Sequence, residues 1–120
     1  MNNREYYEKI TNIDIGIIAR ELLQGRIVNA TAAILKCDCP NHQSISKESL
    51  HINLHKQNWY CFGCGLGGDV LHLVEFIQST TVTKNITGVM TESHRQARDY
   101  LAAKIGLPAL STYGMTPEQV

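Results

Sequence analysis

Four side chains stand at spacings that let them do chemistry together: Cys39 and His42, separated by Pro40-Asn41, and Cys61 and Cys64, separated by Phe62-Gly63. A two-residue gap lets one tight turn aim both side chains at a single point. Two such knuckles, brought together by a hairpin, make the tetrahedron that zinc accepts. The 18 residues between His42 and Cys61 are enough for a ribbon to run out and back. Gly63 and Gly65 flank Cys64, where the backbone must bend, and Pro40 stiffens the first knuckle. Four protein ligands close the shell and leave no position for a catalytic water. The expected metal is therefore one structural zinc ion on Cys39, His42, Cys61 and Cys64. Three thiolates and a neutral imidazole around a divalent ion leave the site net negative, so it does not itself attract phosphate.

Other readings of the same residues stay open at this level. Cys37 offers a four-cysteine site with Cys39, Cys61 and Cys64, although a one-residue gap makes a poor knuckle and leaves His42 without a role. Cys61 and Cys64 alone match a thioredoxin-like redox pair, which needs a βαβ context and ignores Cys39 and His42. Gly63-Cys64-Gly65-Leu66-Gly67-Gly68 contains a G-x-G-x-x-G match ahead of a helix. A dinucleotide site wants an acidic residue about 20 positions on, where Gly88 and Val89 stand, so the match is read as fortuitous.

The elements around the knuckles follow from periodicity. Ile10, Ile13, Ile17, Ile18 and Leu22 recur at helical spacing, predicting a first helix from Ile13 to Gln24 closed by Gly25. Arg26 to Lys36 is rich in short and β-branched residues and reads as one bent strand or two short ones. His51 to His55 alternates polar and apolar, and Trp59-Tyr60-Cys61 follows the polar turn Lys56-Gln57-Asn58. Asp69 caps a helix from Val70 to Gln78 with Val70, Leu73, Val74 and Ile77 on its apolar face. Ser79 to Thr91 reads as a loop or insertion. Ser93 with Gln96 predicts a capping box for a last helix that packs Ala97, Tyr100, Leu101 and Ile105 and stops at Gly106, with Pro108 beyond. The expected fold is α+β: a small antiparallel β-sheet zinc ribbon with flanking helices. Residues 1–110 are expected to form one domain, and 111–120 a flexible tail.

Composition sets the frame. A chain of 120 residues, 43% of them hydrophobic, makes one small domain that gains from a metal staple. Eleven basic against eleven acidic residues argue against a nucleic-acid binder that works by bulk charge, though not against a local binding face. No secretory signal precedes residue 10, and no apolar run approaches the length of a bilayer span. A reducing compartment, the cytoplasm, is the expectation, and there close-set cysteines read as metal ligands.

The stretch Cys39-Pro40-Asn41-His42 … Trp59-Tyr60-Cys61-Phe62-Gly63-Cys64-Gly65-Leu66-Gly67-Gly68-Asp69-Val70 closely resembles the zinc-binding domain of bacterial DnaG-type DNA primases. That family's pattern is Cys-Pro-x-His, then an aromatic residue and Cys-Phe-Gly-Cys-Gly-x-Gly-Gly-Asp entering a helix. Looser similarity runs from Ile13 to Lys36 and from Ala97 to Leu107. The resemblance implies a zinc module that contacts single-stranded template DNA and helps to place primers in DNA replication. It also implies that polymerising chemistry belongs to a separate magnesium-binding domain, for which 120 residues leave no room. The chain is thus expected to be no enzyme on its own, and to act with a primase catalytic domain, a polymerase-like protein or a helicase. Three departures touch template contact: Glu48-Ser49-Leu50 stands where the family has Pro-Ser-Phe, Asn29 to Leu35 lacks Lys and Arg, and an insertion lies between Gln78 and Ser93.

Single strands are held by aromatic stacking and a modest basic groove. Lys56, Trp59 and Tyr60 are the expected hairpin contacts, with Phe62, His51 and His55 nearby, and Arg26, Lys36 and Lys47 as added phosphate contacts. Alternation along the strand means that Trp59 and Tyr60 do not face the same way. Four basic residues against Asp38 and Glu48 between Arg26 and Phe62 imply weak binding. The competing expectation is a non-enzymatic adaptor or regulator that reuses the fold to bind protein or duplex DNA. Net neutrality and the missing basic strand favour it.

Overall fold

A computed structural model of the chain describes residues 3–41, 48–79 and 92–107. Its centre is a sheet of five strands in sequence order, each antiparallel to the next: β1 (Ile27–Ala30), β2 (Ile34–Cys37), β3 (Leu50–Asn53), β4 (Asn58–Cys61) and β5 (Leu66–Gly68). The segment from Arg26 to Lys36 is thus two strands, joined by a turn in which Thr31 receives the N–H groups of Ala33 and Ile34 on its hydroxyl. Register runs straight from β2 to β5, and shifts once between Ile27 and Asn29 where β1 meets β2. Leu35, Ile52, Trp59 and Gly68 form one row, and Lys36, His51, Tyr60 and Gly67 form the next. Because side chains alternate, the first row and the Cys37–Leu50–Cys61 row point into the core, and the Lys36–His51–Tyr60 row points to solvent.

Among the described residues four helices lie on the inner side, α2 (Ile15–Leu22) and α3 (Val70–Ser79) against the sheet and α1 (Asn3–Thr11) and α4 (Glu92–Lys104) against α3. The central helix is α3, buried at Val70, Leu71, Leu73, Val74, Glu75 and Phe76, so it is enclosed nearly all round. Asp69 starts it as expected, accepting the His72 backbone N–H at 3.0 Å. The Trp59 ring packs on Phe76 with centroids 4.7 Å apart, and its indole N–H donates to the Asp69 carbonyl at 2.9 Å. Strand β4 and the start of α3 are thereby locked together.

Helix α2 is shorter than its apolar pattern suggested, because Asp14 caps it through the N–H of Ile17. Gln57, in the β3–β4 turn at φ 57°, reinforces that start. Its amide accepts from Ile15 N at 2.8 Å and donates to Asp14 Oδ1 and to the Leu54 carbonyl. Helix α1 is an addition to the sequence reading. Only Tyr6 and Ile10 of its side chains are fully buried, one turn apart, amid Arg4, Glu5, Glu8 and Lys9, so its apolar stripe is too narrow to stand out.

The capping box expected at Ser93–Gln96 does not form. Helix α4 already begins at Glu92, so Ser93 lies inside its first turn and donates its hydroxyl to the buried Glu75 at 2.6 Å, while Gln96 turns to Glu92. Ala97 and Leu101 are buried as expected, but Ile105 lies beyond the helix end and stays exposed. Residues 80–91, Pro108 and the tail from 111 to 120 lie outside the described residues. Among the described residues no helix is long and apolar enough to cross a membrane.

Candidate metal centre and sheet face

Strands β2 and β4 both run toward the same end of the sheet, and each delivers a cysteine there. Cys39 follows β2 and is almost fully buried, and Cys61 ends β4 with no exposure. The first knuckle is pinned by Asn41, whose backbone N–H donates to Cys39 Sγ at 3.3 Å and whose side chain donates to the Phe76 carbonyl at 2.6 Å. In the second, Phe62 N–H donates to the Ser49 carbonyl and Gly65 N–H to the Cys61 carbonyl. Gly65 takes φ 70°, the left-handed turn a glycine permits, as the chain leaves Cys64 and enters β5.

The sulfurs of Cys39, Cys61 and Cys64 all lie within 4.8 Å of one another, with Cys39 Sγ and Cys64 Sγ 3.8 Å apart. Two thiolates on one zinc at the usual bond length and tetrahedral angle sit about 3.8 Å apart, so the spacing fits that ion. It is far too long for a disulfide, and all four cysteines are free thiols. Burial, together with the neighbouring thiols, pushes the Cys64 pKa up to about 12 and raises that of Cys39. A cation bound here therefore displaces the protons of Cys39 and Cys64.

Cys37 stands apart from the cluster. It faces the core two strands from Cys61, roughly 10 Å at ordinary strand spacing. Burial pushes its thiol up to about 11. It packs among the apolar side chains of the core and takes no place among the three clustered sulfurs. The antiparallel sheet likewise offers neither a βαβ setting for a redox pair nor the parallel unit a dinucleotide site needs. His42 and Lys47 lie outside the described residues.

The nucleic-acid contacts expected from the sequence fall into separate places. Lys36, His51 and Tyr60 share the solvent face, and Phe62 joins them from the second knuckle, two-thirds exposed. The His51 and Tyr60 rings meet Phe62 edge-on, at 4.9 Å and 5.1 Å between centroids. Lys56 projects from the turn at the end of the sheet away from the cysteines, whereas Arg26 lies at the cysteine end, 3.6 Å from Asp38. Trp59 has to be withdrawn as a stacking contact, since it is 3% exposed and sealed under α3. The signal was available: Trp59 stands two residues before Cys61 and so shares its inward face. Asn58, which the sequence assigns to the turn, opens β4 and is exposed on the same face as Tyr60.

The family model of the CHC2 zinc finger, the DnaG zinc ribbon, matches residues 5–104. This chain is a CHC2 zinc finger. The match takes in both knuckles, all five strands and α4, so the three-thiol cluster is the metal centre of a zinc finger with one structural zinc. Among solved structures, the CHC2 zinc finger described here is similar to the Aquifex aeolicus primase captured with its zinc-binding and RNA polymerase domains. The TM-score is 0.67 at 24% identity, over 99% of this chain and 25% of that one. The likeness extends the shared fold over almost the whole chain, which spans about a quarter of that primase chain. No curated protein matches this zinc finger well enough to serve as a relative.

Proposed function

We propose that this CHC2 zinc finger binds single-stranded DNA and recognises template during primer synthesis. The observation that supports the reading best is the solvent face of the sheet. It carries an aromatic row of His51, Tyr60 and Phe62, with Lys36 opposite His51 and no acidic residue in the row. Aromatic faces take bases of any sequence, and nearby cations take the phosphates. In this reading zinc holds the frame and touches no DNA, with His42 as its fourth ligand beside Cys39, Cys61 and Cys64. Lys56 and Lys36 carry the phosphate contacts, with Arg26 and Lys47 as outer ones. Residues 1–110 form the working domain and 111–120 a tail. The chain has no catalytic centre of its own and works in the cytoplasm with a primase catalytic domain, a polymerase-like protein or a helicase.

The test is a titration of labelled single- and double-stranded oligonucleotides at two salt concentrations. The reading expects preference for the single strand, with a shallow salt slope of about −0.7 per phosphate contacted. Preference for duplex, or no binding at all, overturns it. A second reading, a protein-binding adaptor, is favoured by β1. That edge strand reads Ile27-Val28-Asn29-Ala30 with Val28 exposed and no basic side chain, and Arg26 beside it is engaged by Asp38. Absence of DNA binding together with a stable protein complex would select it.

A further inference from the structure

An open groove of about 720 Å³ lies along the β4–β5 hairpin at the end away from the zinc, lined by Lys56, Asn58, Tyr60 and the Gly67-Gly68 backbone. Its floor is glycine for a steric reason. A Cβ on Gly67 would sit 2.6 Å from the Trp59 carbonyl oxygen and 2.9 Å from Cδ2 of Tyr60. The Tyr60 ring therefore lies over Gly67, its cross-strand partner, and Phe62 braces it edge-on at 74°. What remains is a 44% exposed aromatic side chain held in place before any ligand arrives.

The polar groups around the groove divide sharply. Gln57 is spent on Ile15, Asp14 and Leu54, and the Asp69 carboxylate on the backbone and ring N–H of His72. Among the described residues, the side chains of Asn58 and Lys56 make no hydrogen bond or ion pair, and both are exposed. Asn58 is two residues from Tyr60 on the same strand, so both emerge on one face, about 7 Å apart along it. An aromatic ring, an amide offering donor and acceptor side by side, and an ammonium within one groove match the three parts of a nucleotide.

Resting on the single-strand reading above, we infer that this groove is a one-base pocket: the base stacks on Tyr60, Asn58 reads its edge, and Lys56 meets the adjoining phosphate. A carboxamide pairs in bidentate fashion with neighbouring donor and acceptor atoms on a base, so the pocket discriminates between bases, with adenine the natural partner.

Anisotropy titrations of the full zinc-loaded chain with dA12, dC12, dT12 and an abasic 12-mer test this. Wild type is expected to favour dA12 over the weakest homopolymer by at least about fivefold. Asn58→Ala narrows that spread to within about twofold while leaving affinity for the weakest homopolymer unchanged. Tyr60→Ala brings every homopolymer to the abasic level, and Tyr60→Phe restores stacking. Unchanged zinc content and circular dichroism show that the variants fold. Equal wild-type affinity for all homopolymers, or an Asn58→Ala spread as wide as wild type, overturns the pocket and leaves the single-strand reading standing. Absence of binding to any strand overturns both.

Discussion

Trp59 and Tyr60 are chain neighbours with opposite fates. Trp59 turns inward, stacks on Phe76 and gives its N–H to the Asp69 carbonyl, while Tyr60 turns outward over a glycine and leaves much of its ring in water. The same division runs across the whole sheet. The inward rows hold Leu35, Cys37, Leu50, Ile52 and Cys61, and the outward row holds Lys36, His51 and Tyr60. One face builds the domain and delivers the thiols to the metal. The other stays outside the core; its His51 ring meets the Glu48 carbonyl at 2.9 Å and packs with Tyr60 on Phe62, leaving Tyr60 the most open of the row's aromatic groups.

Substitutions on the two faces should therefore separate stability from binding. Trp59→Ala is expected to cost about 3–5 kcal/mol of unfolding free energy, the range for deleting a large buried aromatic. Tyr60→Ala should cost about 1 kcal/mol or less in the same urea titration, but weaken single-stranded DNA binding by about 1–3 kcal/mol. If Tyr60→Ala unfolds the domain, the outward face is structural and the division fails. Gly67→Ala probes the boundary between the faces. The added methyl meets the Trp59 carbonyl, which is backbone, so the strand must shift. The expected loss is about 1–3 kcal/mol, together with weaker DNA binding as the Tyr60 ring is displaced.

The smallest expected effect lies among the helices, at the buried His94, which stacks on Tyr7 with centroids 6.2 Å apart. Burial holds its imidazole below the usual pKa. His72 and Arg98 act in the same direction, while Glu75 and Asp69 oppose them. The unfolded chain, where histidine titrates near 6.5, then takes the proton first. Stability from this site is full above that pH and is lost as pH falls through it. Urea midpoints between about pH 8 and 5.5 should decline less in His94→Phe than in wild type, since protonation of the metal ligands is common to both chains. Equal slopes would remove His94 from the account.

What the sequence made legible was local. The Cys61–Cys64 knuckle, strands marked by alternation and the Asp69 cap each depend on residues close together in the chain, and these are present in the structure, with Cys39 beside the knuckle. The illegible parts depend on tertiary partners. Helix α1 commits two fully buried side chains, Tyr6 and Ile10, to the core amid charged neighbours. Glu75, His94 and Arg98 carry types that ordinarily stay at the surface, yet all three are buried between helices. Ser93 looked like a cap because its true partner, Glu75, is 18 residues away. The groove at Asn58 could not be read at all, since it exists only where β4 meets β5.

The most direct test of the zinc assignment is metal content per chain in wild type, Cys37→Ser and His42→Ala, with circular dichroism before and after chelation. One zinc per chain in wild type and in Cys37→Ser, its loss in His42→Ala, and unfolding on chelation are the expected results. Zinc lost from Cys37→Ser and kept by His42→Ala would contradict the assignment of ligands, and with it the separation between a core cysteine and a metal centre.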